Sequence, residues 1–202
     1  MATKPKTINS LDEAANLLIN AVNERRSTRR LVLAVGGPVG SGKSTLARTL
    51  GGTVIATDDY LPDYEKVDYE LRDEPTSSDL SRLADDLEAL QVTGKGKIPR
   101  WCFQEHRRVD YRLIEAGDLI ICEGLFALHP RIASVIDIRV LVRADRHVRW
   151  RRWEEIEQAG ERGWGVERAR EHFIHVADPT YERHAHLYEE DLDYIVLNNS
   201  TD

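Results

Sequence analysis

The chain has 202 residues, enough for one domain with a full core. Charged residues make up 31% and hydrophobic ones 41%, and the net charge of −7 argues against broad electrostatic binding to nucleic acid or an anionic membrane. Cys102 and Cys122 make no disulfide framework and fit a reducing cytoplasm, and no run approaches the roughly 18 apolar residues of a membrane span.

Met1 to Lys6 leads into no apolar stretch of the secretory kind, so a cytoplasmic location is expected. Ser10-Leu11-Asp12-Glu13 has the form of a capping box. Leu11, Ala14, Leu17, Leu18 and Val22 then recur at helical spacing, which predicts a helix to about Arg26 packed outside a sheet. Arg30 to Val35 is a short apolar β-branched run, the first buried strand. It turns through glycines into Lys43 to Leu50, a helix ended by Gly51-Gly52. Val54-Ile55-Ala56 is a second strand and runs into Thr57-Asp58-Asp59-Tyr60. Leu61 to Pro75 reads mostly as loop. Ser77 or Ser78 can cap a helix carrying Leu80, Leu83, Leu87 and Leu90. Ile98 to Phe103 reads as extended. Leu119 to Cys122 is a third strand and Ile136 to Val142 a fourth. A charged helix is expected from Arg143 to about Gly160. Another should run from about Val166 to Ala177, be interrupted at Pro179 and resume to about Glu190. Tyr194 to Leu197 is a fifth strand. Strands alternating with helices imply an α/β fold with a parallel sheet.

Gly37 to Ser44 fits G-x-x-x-x-G-K-[ST] between a strand and a helix, the setting of a phosphate-binding P-loop. Its glycines let backbone N–H groups turn inward on an anion, and the following helix aims its positive end at the same place. Gly37, Val39, Gly40, Ser41, Gly42, Lys43, Ser44 and Thr45 form the expected nucleotide site. Lys43 reaches the β/γ-phosphates and Ser44 can hold Mg²⁺.

Ligands of open parallel sheets sit beyond the carboxyl ends of the strands, where Asp58 and Glu123 fall. A carboxylate there can bind Mg²⁺ or take a proton from an attacking hydroxyl. Alternatively, Asp58 or Asp59 caps a turn and Glu123 is a solvated strand-end acid. Pro99 to Arg108 mixes aromatics, a histidine and arginines, and fits either a planar substrate or a surface hairpin. Arg149, Arg151, Arg152 and Arg162 can close over phosphates as a lid, or belong to an ion-paired surface helix. The histidine pairs match no zinc signature.

The ordered series of motifs, from about Leu31 to Leu197, resembles the uridine kinase branch of the uridine kinase/phosphoribulokinase-like family of P-loop kinases. Ile55-Ala56-Thr57-Asp58-Asp59-Tyr60 is similar to the strand-two motif whose Asp is catalytic base and metal partner. Asp73-Glu74-Pro75 resembles the Asp-His-Pro that binds ribose hydroxyls. Pro99 to Arg108 is similar to the base-holding segment, with Trp101 in a Tyr position. Cys122-Glu123-Gly124 resembles the strand-three Glu-Gly, and Arg151-Arg152 and Glu161-Arg162-Gly163 resemble the lid. An Arg-Asp between the lid motifs is missing and their spacing is about one helical turn longer. Trp164 stands where nucleoside kinases usually have an Arg, and His172 where a Gln reads the base.

The resemblance implies a single P-loop kinase domain over 1–202, with an N-terminal helix in 1–28 and a lid over about 144–165. The expected fold is a five-stranded parallel sheet ordered 2-3-1-4-5 with helices on both faces. It implies ATP and Mg²⁺, with Lys43, Asp58, Arg152 and Arg162 catalytic and Ser44, Asp58 and Glu123 at the metal. The acceptor falls to Asp73, Trp101, Phe103, His106, Trp164 and His172. The implied activity is phosphoryl transfer from ATP to a small-molecule hydroxyl, foremost a nucleoside. Pantothenate, glycerate, ribosyl-nicotinamide or a sugar are alternative acceptors, and a slow regulatory ATPase is the reading from another class. Nucleic acid and membrane are not expected as partners, and homo-oligomerisation is left open.

Overall fold

The computed structural model describes residues 4–25 and 29–200. Its main sheet is parallel throughout. In spatial order it contains β1 (Lys6–Ile8), β8 (Tyr194–Leu197), β7 (Ile138–Arg143), β2 (Leu31–Gly36), β6 (Leu119–Gly124) and β3 (Thr53–Ala56). The five expected strands stand in the expected order. The sheet has a sixth, β1, at the edge beyond β8. Three residues carry no readable periodicity, and this strand exists through its pairing with β8, which buries Ile8.

The central strand β2 shows why the core has two halves. All six of its residues are buried, and successive side chains enter opposite faces. Leu33 and Val35 pack with α1 (Leu11–Glu24) and α2 (Lys43–Leu50) through Ala14, Leu18, Leu46 and Leu50. Val32 and Ala34 pack on the other side with Leu83, Leu87 and Leu90 of α3 (Leu80–Thr93). Ser10 caps α1 as expected, accepting the Glu13 N–H at 3.2 Å. At α3 the cap is Asp79, which accepts from the Arg82 N–H at 3.3 Å, rather than Ser77 or Ser78. Those serines lie at the end of a short turn, Pro75–Ser77, that precedes the helix. The predicted tail of the first helix near Arg26 lies outside the described residues.

A two-stranded antiparallel hairpin, β4 (Lys95–Cys102) and β5 (Arg107–Glu115), stands apart from the main sheet. The loop from Leu61 to Pro75 contains short 3-10 turns and buries Tyr64.

Helix α4 (Arg146–Gln158) is anchored more firmly than a charged surface helix. Val148, Arg149, Trp153 and Glu157 form its buried face, while Arg151 pairs with Glu155 outside. After α5 (Val166–His172) the chain makes a wide π-turn, Phe173–Ala177, and continues as α6 (Asp178–Tyr188). Pro179 therefore does not interrupt the helix. A proline collides with the carbonyl four residues back in a regular α-turn, and the wider turn before it relieves that contact. The same bend brings Asp178 to α4. Its carboxylate accepts from Arg149 at 2.6 Å and from Arg146 at 2.5 Å, with Arg149 only 4% exposed. Removing one member strands a buried charge, so Asp178→Asn should lower the unfolding free energy by about 3–5 kcal/mol in urea denaturation. A loss below about 1 kcal/mol would mean that solvent already screens the pair.

Among the described residues, no helix is long and apolar enough to cross a membrane.

Candidate active site

Strand register gathers the chemistry. Glu123 in β6 lies beside Val35 of β2 on one side and Ala56 of β3 on the other. The P-loop leaves β2 after Gly36, which lies beside Gly124, and Asp58 follows Ala56 by two residues. Glu123, Asp58 and Lys43 thus meet at the carboxyl edge of the sheet. Lys43 is buried, and its Nζ donates to the Pro38 carbonyl at 3.1 Å. The Ser44 hydroxyl donates to Glu123 Oε2 at 3.0 Å. Burial holds the Lys43 ammonium below the ordinary lysine range, opposed by the charges of Glu123 and Asp58. Burial also raises Glu123, opposed by Lys43. Both groups are pushed towards neutrality and their mutual attraction resists it.

The loop itself is clamped from outside. Gly40 and Gly42 have φ of +74° and +98°. A Cβ at Gly40 would collide with the Arg149 carbonyl, and one at Gly42 with the Asn198 amide. Asn198 Nδ2 donates to the Ser41 carbonyl at 2.8 Å, and Arg152 Nη1 donates to that of Gly40 at 3.2 Å. Holding carbonyls on the outside leaves the N–H side of the loop turned to an anion. Arg152 thus lies on the loop backbone, with Nη2 on the Ser200 carbonyl at 2.7 Å. Thr45 is exposed on α2, where its hydroxyl accepts a long contact from Arg48 at 3.5 Å.

One cavity joins this edge to an aromatic chamber. Lys43, Asp58 and Arg162 line it together with Asp73, Trp101, Phe103, His106, Trp164 and His172, so nine residues from distant parts of the chain converge in one place. Val39 also lines it, and packs with Trp153 and Phe173. The Arg162 guanidinium lies 4.8 Å from the Phe103 ring centre and 5.6 Å from that of Trp153.

Tyr64, which the sequence left in an undifferentiated loop, is at the chamber's centre. Its ring is edge-on to Trp101 at 4.9 Å and stacked on His106 at 5.7 Å. Trp101 is fixed in turn by Nε1 on the Pro62 carbonyl at 3.2 Å. Glu157 was also missed. Its carboxylate accepts from Trp153 Nε1 at 3.1 Å and from the Trp164 and Gly165 N–H groups at 3.2 and 3.1 Å. A Trp and Glu four apart on a helix were the available signal.

The two neighbouring acids after β3 behave differently. Asp59 is buried, accepts the Trp101 N–H at 3.1 Å and pairs with Arg112 at 2.6 Å, tying the hairpin to the sheet. The Asp58 carboxylate accepts no hydrogen bond among the described residues, and Asp58 lines the cavity beside Lys43. Asp73 is 7% exposed, and its oxygens already have partners: His172 Nε2 at 3.1 Å and the Tyr64 hydroxyl at 3.4 Å.

His106 sits at φ +50°, a conformation that histidine and asparagine tolerate better than most residues. Burial first, then Arg168, Arg72 and His172, push its imidazole from 6.5 down to about 4. As pH falls, the unfolded chain therefore takes up this proton before the folded one does. The residue costs nothing above about 6.5 and subtracts stability as pH falls from there towards 4. His106→Asn, which suits the same φ, should flatten the decline in unfolding free energy across that window. Parallel pH profiles for the two proteins would show that the imidazole is not desolvated.

A clamped P-loop at the carboxyl edge of a parallel sheet, opening onto a ring-lined chamber, defines a P-loop phosphotransferase. The model of the phosphoribulokinase/uridine kinase family matches residues 63–197, a span that begins after the P-loop and so does not depend on it. The chain belongs to the phosphoribulokinase/uridine kinase family, a family of kinases. A uridine kinase of Clostridium perfringens is 30% identical over 169 residues, covering 77% of this chain and 81% of the relative. One from Clostridium botulinum is 29% identical over 167 residues, covering 76% and 81%. Among solved structures, a protein assigned as a fructose transport system kinase from Silicibacter sp. TM1040 has a TM-score of 0.72 at 16% identity, over 91% of this chain and 98% of that one. D-glycerate 3-kinase from Cryptococcus neoformans has a TM-score of 0.62 at 17% identity, over 93% and 95%. At these identities the structures share the fold.

Proposed function

We propose that this kinase moves the γ-phosphoryl group of ATP to a hydroxyl of a ribosyl compound of the nucleoside kind. The observation that carries the reading is the single cavity in which Lys43, Asp58 and Arg162 meet the ring-lined chamber. The chamber supplies flat apolar walls for a ring, and the polar end supplies the chemistry. Asp58 accepts the proton of the attacking hydroxyl as its oxygen bonds to the γ-phosphorus and the bond to the ADP oxygen breaks. Lys43 and Arg162 offset the negative charge that spreads over the phosphoryl oxygens. The oxygen donors of Ser44, Asp58 and Glu123 suit Mg²⁺, which would neutralise phosphate charge when bound. A cytoplasmic location fits ATP as donor.

Segment 144–165 acts as the lid, with α4 as its anchored part and Gly160–Gly165 as its moving edge. Hydrogen exchange at Gly160–Gly165 should slow when a non-hydrolysable ATP analogue binds, and unchanged exchange there would remove the lid from the scheme.

A smaller sugar or polyol is the second reading, favoured by Trp164 and by the tightness of the chamber, about 60 Å³. Assay of Mg-ATP against a panel of nucleosides, pentoses, polyols and vitamins tests both. Phosphorylation confined to ribosyl compounds supports the first. Phosphorylation confined to free sugars or polyols supports the second, and acceptor-independent ATP hydrolysis alone would sink both. Trp164 and His172 stand in for polar groups that other nucleoside kinases use, so uridine and cytidine are expected to be poor substrates of this chain.

A further inference from the structure

Strand β5 pairs with β4 alone, and its second edge carries no strand among the described residues. The loop after β3 covers the start of that edge, where the Arg108 N–H donates to Asp63 Oδ1 at 2.9 Å. Beyond it the strand is open. Asp110, Tyr111, Arg112 and Leu113 are all exposed, Leu113 at 86%. The ladder to β4 fixes which backbone groups face outward. Ala116 donates its N–H to the Gly94 carbonyl at 2.7 Å. By the two-residue alternation of an antiparallel pair, Ile114, Arg112 and Asp110 turn their backbone groups to β4, while Glu115, Leu113 and Tyr111 turn theirs away. The Tyr111 N–H agrees, since it donates to the carboxylate of its neighbour Asp110 at 2.7 Å. An open edge of this kind is a template for another strand.

We infer that this edge pairs antiparallel with β5 of a second copy of the chain, about a two-fold axis at Tyr111, joining two hairpins into one four-stranded sheet. Geometry and charge select the register. Residues directly opposite each other both turn outward or both turn inward, so the axis passes through a residue and not between two. An axis at Val109 runs into Asp63, which already holds the Arg108 N–H. One at Asp110 sets that acid against itself and Arg108 against the partner's Arg112, and one at Arg112 sets the guanidinium against itself; like charges directly opposite are unfavourable. An axis at Leu113 or beyond shortens the overlap and gives Arg112 no acid to face. With the axis at Tyr111, Asp110 faces the partner's Arg112, Val109 the partner's Leu113, and Arg107 the partner's Glu115. Symmetry makes each of these pairs twice. In the single chain Arg107 pairs with Glu105 and Lys95 with Glu115, all four well exposed, so water screens these bonds and exchanging them costs little. The hairpin also presents Trp101, Phe103 and His106 to the chamber, so the second copy steadies that wall whichever acceptor it takes.

Sedimentation equilibrium of the full chain from about 1 to 200 µM, a span that covers weak association, should show monomer and dimer. Mild oxidation of Tyr111→Cys should then give a covalent dimer, because a residue on the axis meets itself with Cα atoms about 5.5 Å apart. Leu113→Cys should not, since its own copy lies about 14 Å away in this register; the wild-type chain controls for Cys102. Arg107→Glu and Glu115→Arg should each weaken their own dimer by about tenfold, through two like-charge contacts apiece. Mixed in equal amounts, the two variants should recover dimer, because each then meets the opposite charge. A wild-type chain that stays monomeric throughout the range would overturn the inference. So would a dimer in which Leu113→Cys links as readily as Tyr111→Cys, or in which the mixture associates no better than either variant alone.

Discussion

Lys43→Ala is expected to reduce phosphoryl transfer by at least about 10³-fold, with the fold intact. The expectation rests on where the ammonium sits. It is buried, donates to the Pro38 carbonyl at 3.1 Å, and is the cation faced by both Asp58 and Glu123. Charge that develops on a transferring phosphoryl group is stabilised most by donors already fixed in a water-poor site, and a single such donor is worth roughly 10²–10³. Lys43 also offsets two carboxylates. Without it, Glu123 and Asp58 would face phosphate oxygens and each other with one positive charge fewer, so repulsion adds to the lost attraction. The loss should fall mainly on kcat, since several backbone N–H groups of the loop still hold the nucleotide. Steady-state ADP release under saturating ATP gives the number, and thermal melting checks the fold. A kcat within tenfold of wild type would show that the phosphate lies elsewhere.

The parts of the molecule readable from sequence are those in which a local pattern fixes the outcome. Five strands are apolar runs, and their order followed from the resemblance once the P-loop was placed. The sixth, Lys6–Ile8, takes its structure from β8 and has no pattern of its own. Pro179 was read as a break because proline clashes in a regular turn, whereas the π-turn before it is a property of packing. The positions of Asp58 and Glu123 were legible because each lies at or just after the end of an apolar strand, and that of Lys43 because the glycine-rich turn before α2 fixes it. Tyr64 and Glu157 were not, since their contacts come from segments far apart. The bond between Asp73 and His172 spans 99 residues and changes what Asp73 is free to do, which no motif around either residue signals.

Asp58 and Asp59 offer the sharpest separation of chemistry from architecture, because adjacent acids should fail in different ways. Asp58→Asn is expected to lower kcat by about 10²–10⁴-fold, the usual range for loss of a general base, while leaving stability close to wild type. Its side chain accepts no hydrogen bond among the described residues and lines the cavity beside Lys43, so an amide there loses proton-accepting power and little else. Asp59→Asn should do the reverse. Asp59 accepts the Trp101 N–H at 3.1 Å and pairs with Arg112 at 2.6 Å, so the amide weakens the joint between hairpin and sheet. Burial is the first influence on the Asp59 carboxyl and raises it, opposed by that N–H and that guanidinium, so part of the charge's cost disappears with the substitution. A melting temperature a few degrees lower and a kcat within about tenfold are therefore expected for Asp59→Asn. The two variants, measured side by side at saturating ATP, decide the assignment. If Asp59→Asn silenced turnover without lowering the melting temperature, while Asp58→Asn ran near wild-type rate, the proton would go to Asp59 and the cavity-facing carboxylate would have no part in the transfer.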